Sequence, residues 1–545
     1  MLTSQDCKSE ISPRGDHRIL YVSDPSSIAN HFLPDPVRAD DLRRWVDMLA
    51  DSGVDIFNQE VYSQCWTEYW RSETIQYDQR EQHKRFIPML DENIQPLDVL
   101  IDQSHKRGMN FIAGFRVNDN HGYKTRGDGK FPWEGGGIAA LIKAHPDWEL
   151  TEFREGETYQ TAYALDFTVE GVREFTAKVI REVIDRFDID GVELCFRDYG
   201  YFPVNKGPQS AHLMTDLLRQ VRGMLDEKEK SVNKKLLLGA TVFSTIKENI
   251  ALGLDTARWI SEELINYLSP QDGMFSDFNI PFAEYSALTG KSNCMLFPAL
   301  FPWTSQRARI RLKGAPLSSS TCRAYAHTCY RNGADGLSLY NHCTVTRTPP
   351  YYPQLMQVFH ELRDPEKVAS GERHYIFDPP WAGLTGFGID CCSTGVVKAP
   401  KIVLDRSKEN ISEDYPLQLC ESTDLLRSVN VLFRGFGLTE HDELEVRFNG
   451  QLIDDSAIGR SKRSDIPLDN WSDPRRSHGQ SWTCVPEQRI DYGPEPKPPF
   501  SSRWFILDPA ILIFGRNCLT VALTKSDPKA SGEIVIDEVE VWIQP

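Results

Sequence analysis

Residues 189–200 read IDGVELCFRDYG. Ile189, Val192, Leu194 and Phe196 make this a buried strand, interrupted toward its C-terminal end by Glu193, Arg197 and Asp198. Side chains of a strand alternate between faces, so Glu193, Cys195 and Arg197 share one side. A carboxylate and a guanidinium on a buried face are costly unless something pairs or uses them. In a parallel barrel the C-terminal strand ends carry the chemistry. The rest of the chain is read outward from this strand.

A helix over 169–187 leads into it, with Val172, Phe175, Val179, Val183 and Phe187 on one stripe. The same unit recurs on both sides. Upstream, strands are predicted over 18–24, 54–60 and 109–117, with helices over 36–51 and 97–106 between them. Downstream come a helix over 212–228 and a strand over 236–242, then a helix over 256–264 capped by Asp255 and a strand over 265–269. A strand over 294–300, a helix over 321–332, a strand over 336–340 and a helix over 352–362 complete the set. About eight strands alternating with helices give a (β/α)8 TIM barrel, with a doubly wound open sheet as the rival. No GxGxxG or GxxxxGK[ST] follows any of these strands, which removes support for a nucleotide site. The connection over 118–164 is long for a barrel and is expected to be a functional loop.

Beyond residue 369 the helical period fades, and short alternating strands separated by turns take over. Asn449-Gly450 is a strong hairpin signal. The expected division is a tail over 1–17, a barrel over 18–369 and an all-β sandwich domain over 370–545, with a surface excursion over 454–499. The sandwich is expected to brace the barrel and mediate contacts between copies of the chain in a homo-oligomer, with glycan binding as the alternative.

The chain of 545 residues has 40% hydrophobic and 26% charged residues, an ordinary globular balance. Its net charge of −17 argues against nucleic acid and anionic membrane as partners. Twelve cysteines without CxxC pairs give no structural metal site, and no cofactor motif is present. The polar N-terminus, MLTSQDCKSEISPRGDH, lacks the apolar core of a signal peptide. The expected compartment is cytoplasmic, or extracellular if a leader has been removed.

The strand ends bring one polar set together: Asp24, Asn58, Gln59, Glu60, Arg116, Asn118, Asp119, His121, Glu193, Arg197, Asp198, Ser244, Gln271, Asp272, Trp303, Asn341 and His342. Tyr199 and other aromatics crowd the same loops. Rings that stack on sugar faces, with carboxylates and amides to grip hydroxyls, suit a carbohydrate. Glycoside hydrolysis needs two carboxyl groups flanking the bond. Glu193 is the first candidate, because partial burial raises a carboxyl toward a useful acid. Asp272 is the second and Asp198 the reserve. Their alternative readings are an ion pair with Arg116 or Arg197 for Glu193, a cap for Asp272 and a turn for Asp198. Glu60, Arg116, Asn118, Asp119, His121, Arg197, Tyr199, Trp303, Asn341 and His342 are expected to hold substrate. A metal held by Asp119, His121 and Asp272 lacks any supporting ligand spacing.

Three stretches carry a family resemblance: YALDFTVEGVREF at 163–175, FDIDGVELCFR at 187–197 and INYLSPQD at 265–272. Over about 18–365 the chain resembles the glycosyl hydrolase-10-like barrels. ELEVRFNGQLI, WFILDPAILIFGRNCLTVALTK and IVIDEVEVWI resemble galactose-binding-like sandwich modules. The resemblance implies a glycosidase acting through carboxylates at strand ends. Related strands carry a second acid where this chain has Cys195. The other expectations are a sugar-binding protein without catalysis, and a polysaccharide lyase or isomerase on the same barrel.

Overall fold

The computed structural model describes residues 19–119, 136–152, 163–196, 200–271, 275–304, 316–342, 356–377, 400–408, 411–454, 458–462 and 500–545. The barrel strands are β1 (Ile19–Ser23), β2 (Ile56–Ser63), β3 (Asn110–Arg116), β4 (Gly191–Cys195), β5 (Leu237–Phe243) and β6 (Tyr267–Gln271). They continue with β7, in two pieces (Met295–Leu296 and Ala299–Leu300), and β8 (Leu337–Tyr340). All these neighbours pair in parallel. The row begins on one piece of β7 and ends on the other, so the sheet curls round on itself into a TIM-like barrel.

Alternation divides each strand between two cores. Leu20, Val22, Ile56, Ile112, Leu237, Tyr267, Met295 and Tyr340 pack together inside the curl. Tyr21, Phe57, Phe111, Val192, Leu194, Leu238 and Leu339 face outward into the larger core shared with the helices.

The helices follow the expected stripes. α1 (Ala39–Asp51) buries Leu42, Trp45, Val46 and Leu49, begins on Asp40 and Asp41, and is followed by Gly53 at φ 88°. α2 (Pro96–Lys106) and α3 (Glu170–Arg186) precede β3 and β4. α4 (Gly207–Val232) is longer at both ends than its sequence period, closing on Asn233 in the left-handed region. α5 (Thr256–Ser261) is capped by Asp255, which accepts from the Arg258 amide at 3.1 Å. α6 (Phe282–Thr289) lies before β7, where the sequence reading placed no helix. α7 (Ser319–Arg331) and α8 (Val358–Leu362) flank β8, and residues 352–355 of the last expected helix lie outside the described residues.

The C-terminal region is antiparallel. Its strands are β9 (Arg373–Phe377), β10 (Ile402–Asp405), β11 (Ser412–Leu419), β12 (Ser428–Phe436), β13 (Glu443–Phe448) and β14 (Gln451–Leu452). β15 (Gly459–Lys462), β16 (Phe500–Leu507), β17 (Gly515–Lys525) and β18 (Glu533–Gln544) complete it. One sheet runs β9-β18-β12-β16-β15, with β10 also on β18, and the other runs β11-β17-β13-β14. Asn449 and Gly450, both at positive φ, turn β13 into β14 as the Asn-Gly signal requires. Most of the excursion expected over 454–499 lies outside the described residues.

The antiparallel region leans on the barrel through α7. The Glu421 carboxylate takes Arg373 Nε at 2.8 Å and Nη2 at 2.7 Å, with His327 Nε2 of α7 at 3.5 Å. Asn279 adds a second tie, its amide meeting the Pro416 carbonyl at 3.3 Å and the Gln418 amide at 2.9 Å.

Candidate active site

Register builds the site. Glu60 of β2 pairs with Gly114 of β3, Gly114 with Glu193 of β4, Glu193 with Gly239 of β5, and Gly239 with Tyr267 of β6. Glu60, Glu193 and Tyr267 therefore share one level of the inner face, separated by glycines. The glycines are steric requirements. A Cβ on Gly114 would stand 2.5 Å from Asn58 Oδ1 and 3.0 Å from Glu60 Cγ, and one on Gly239 would overlap the Tyr267 ring. Gly239→Ala is expected to push Tyr267 off its seat at a cost of about 1–3 kcal/mol, read by denaturant unfolding against wild type.

Glu193 is wholly buried. Thr241 Oγ1 donates to its Oε1 at 2.8 Å. The Tyr267 hydroxyl and the Asn58 amide face the same carboxyl but fall outside hydrogen-bond geometry. Burial pushes the Glu193 carboxyl up to about 7, and Thr241, Tyr267 and Asn58 offset only part of that push. Among the described residues no cation stands close enough to lower it. Burial, reinforced by Glu193, pushes the Tyr267 hydroxyl well above its ordinary range, so it stays protonated and able to donate.

Arg116 stands one step further along the same face of β3. It meets Asp119 Oδ2 at 2.9 Å and Asp24 Oδ2 at 3.7 Å. The Tyr340 hydroxyl lies 3.3 Å from Asp24 Oδ2 and 3.4 Å from Glu60 Oε2. Cys195 lies at the level of Arg116 and Thr241, as a buried thiol. Beside this rim, Arg80 pairs with Glu68 at 3.2 Å and with Asp78, and burial drives the adjoining His83 down to about 4.

Other expected ligands are engaged elsewhere. Asn118, at φ 59°, donates to the Leu165 carbonyl at 2.9 Å and to that of Gly200, and accepts from the Leu165 amide at 2.7 Å. Asn341, at φ 56°, accepts from Ser27 Oγ at 2.8 Å and from the Asp24 amide at 3.3 Å, joining β8 to the end of β1. His342 meets the Leu300 carbonyl at 3.2 Å and stands edge-on to Phe359 of α8, and burial lowers its pKa to about 4. Trp303 is packed into the outer core. Asp272, Asp198, His121, Arg197 and Tyr199 lie outside the described residues. Thr241 and Tyr267 were not singled out from the sequence. Alternation from Glu193 and the facing glycine would have pointed to them.

Fold and site together define a (β/α)8 barrel with carboxyl groups gathered on its inner face. The particular likeness comes from the sequence: residues 26–224 match the family described as Glycosyl hydrolase-like 10, and an antiparallel β region follows the barrel. Glycosyl hydrolase DigH of Escherichia coli is 22% identical over 231 residues, covering 35% of this chain and 49% of the relative. The chain thus spans about half the length of the curated relatives it matches. Among solved structures, the alpha-L-fucosidase isoenzyme 2 from Paenibacillus thiaminolyticus aligns with TM-score 0.40 and 12% identity, over 66% of this chain and 51% of that one. The alpha-amylase from Geobacillus thermoleovorans aligns with TM-score 0.37 and 12% identity, over 77% and 92%.

Proposed function

We propose that the chain is a glycoside hydrolase acting on an oligosaccharide, polysaccharide or glycoside, with Glu193 as its general acid. The observation that carries this is a carboxyl that burial pushes up to about 7, on the inner face of the barrel, held by the neutral Thr241 hydroxyl and in no ion pair among the described residues. Such a group still carries its proton in about half of the molecules at pH 7 and can give it to a leaving oxygen. The second carboxylate, as base or nucleophile, is assigned to Asp272, with Asp198 in reserve. Substrate binding is assigned to Glu60, Arg116 and Asp119, together with His121, Arg197 and Tyr199, which lie outside the described residues.

The test is release of reducing ends from a panel of glycans by the purified chain, followed across pH. An acid that titrates near 7 must be protonated to work, so kcat/KM is expected to fall as pH rises through about 7. A rate that keeps rising past pH 8 contradicts the role. A product absorbing in the ultraviolet would mark a lyase instead. Cys195, where related strands carry an acid, supports a second reading as a sugar-binding protein without turnover. Binding with no product from any glycan of the panel would favour that reading.

A further inference from the structure

We infer that the inner face beside Glu193 is a cradle for a neutral, hydroxyl-rich sugar ring, gripped by Asn58, Ser269 and Gln271. The inference rests on the carbohydrate reading of the same site and adds the class of sugar and the residues that select it.

Asn58 of β2 and Ser269 of β6 are wholly buried, and Gln271 of β6 is 1% exposed. Ser269 and Gln271 alternate with Tyr267 onto the inner face of β6. Asn58 lies over Gly114, beside the Glu193 carboxyl. Ser269 Oγ, Gln271 Nε2 and both polar atoms of the Asn58 amide meet no partner at hydrogen-bond geometry. Buried polar groups are nearly always paired, and leaving one unpaired costs free energy. Three such side chains, from two strands that flank the same acid, form an arrangement suited to hydroxyl groups. Each is neutral, and together they offer donors and acceptors in the mixture that a sugar ring presents.

Charge selects against an acidic sugar. Among the described residues the guanidinium on this face, Arg116, is already matched by Asp119 and Asp24. Asp24, Glu60 and Asp119 add three carboxyl groups near it among the described residues, beside Glu193, which is protonated below about 7. A uronate carboxylate would meet an excess of like charge in a buried setting. A neutral pyranose would not.

The experiment measures thermal shift of the full chain with glucose, galactose, xylose, N-acetylglucosamine, glucuronate and galacturonate at equal concentrations. At least one neutral sugar is expected to raise Tm, and neither uronate to do so. Asn58→Leu and Ser269→Ala are expected to weaken that sugar by at least about tenfold, roughly one lost hydrogen bond. Without sugar, both variants are expected to melt no lower than wild type, because an unpaired buried polar group has been replaced by an apolar one. Shifts from a uronate equal to those of its neutral parent overturn the inference. So does the absence of a shift from every neutral sugar, or a fall in the sugar-free Tm of both variants, which would mark the groups as structural. Binding by wild type without product removes the hydrolase and leaves the cradle. Unaltered product formation by both variants removes the cradle and leaves the hydrolase.

Discussion

Glu193→Gln is expected to lose at least about a hundredfold in turnover and, at pH 8, to unfold less readily than wild type. Both effects come from one cause. Burial pushes this carboxyl from 4.5 up to about 7. Below pH 4.5 the folded and unfolded chains both carry the proton, and Glu193 adds no penalty. Between 4.5 and 7 the unfolded chain has released a proton that the folded chain still holds, so stability falls as pH rises. Above 7 the folded chain must carry a buried charge, and the full cost applies. At about 1.4 kcal/mol per pH unit, that cost is about 3 kcal/mol. Glutamine keeps the shape and never ionises. The variant should match wild type at pH 4 and exceed it at pH 8 by up to about that amount, read from denaturant midpoints at the two pH values. A variant that is less stable at pH 8 would mean that the charged form is needed by the fold. Unchanged turnover in a folded variant would dismiss Glu193 as the acid.

The barrel was legible because its strands and helices carry clean periods with local stops. Leu42, Trp45, Val46 and Leu49 mark α1, Gly53 ends it, and Asp255 caps α5. α6 was not legible: eight residues after Pro281 bury only Phe282, Tyr285 and Thr289, too short a stripe to stand out. At the site, alternation put Glu193 on the inner face of its strand, but the neighbours that tune it needed the register. Tyr267 faces the Glu193 carboxyl across Gly239, where any side chain would overlap its ring. Asn118 and Asn341 illustrate the limit from the other side. An amide just past a strand looks the same in sequence whether it greets a ligand or ties down a loop. Both stand at positive φ and spend their amides on backbone and Ser27.

The largest expected loss of stability lies away from the barrel interior, at Glu421. Its carboxylate is gripped by two nitrogens of Arg373, at 2.8 and 2.7 Å, and by the Tyr375 hydroxyl. Both charged side chains are buried, 2% and 1% exposed. Burial alone would raise the Glu421 pKa, but Arg373, His327 and Tyr375 outweigh it, and the group ionises below its ordinary value of 4.5. Burial takes His327 down to about 4, so it is neutral at pH 7 and the pairing there is with Arg373. Glu421→Gln leaves a buried guanidinium without its counter-charge and should cost about 3–5 kcal/mol. The sign with pH is fixed. A depressed carboxylate contributes its stability above 4.5 and loses it as pH falls through the lower folded value, so the gap between variant and wild type should close in acid. Replacing both partners, as in Arg373→Met with Glu421→Leu, removes the orphaned charge and should recover most of the loss. Equal destabilisation by the single and double variants would mean that the pair ties β9 to the segment after β11 by its hydrogen bonds rather than by charge balance. Denaturant midpoints of the three chains at pH 7 and pH 4 decide between the two.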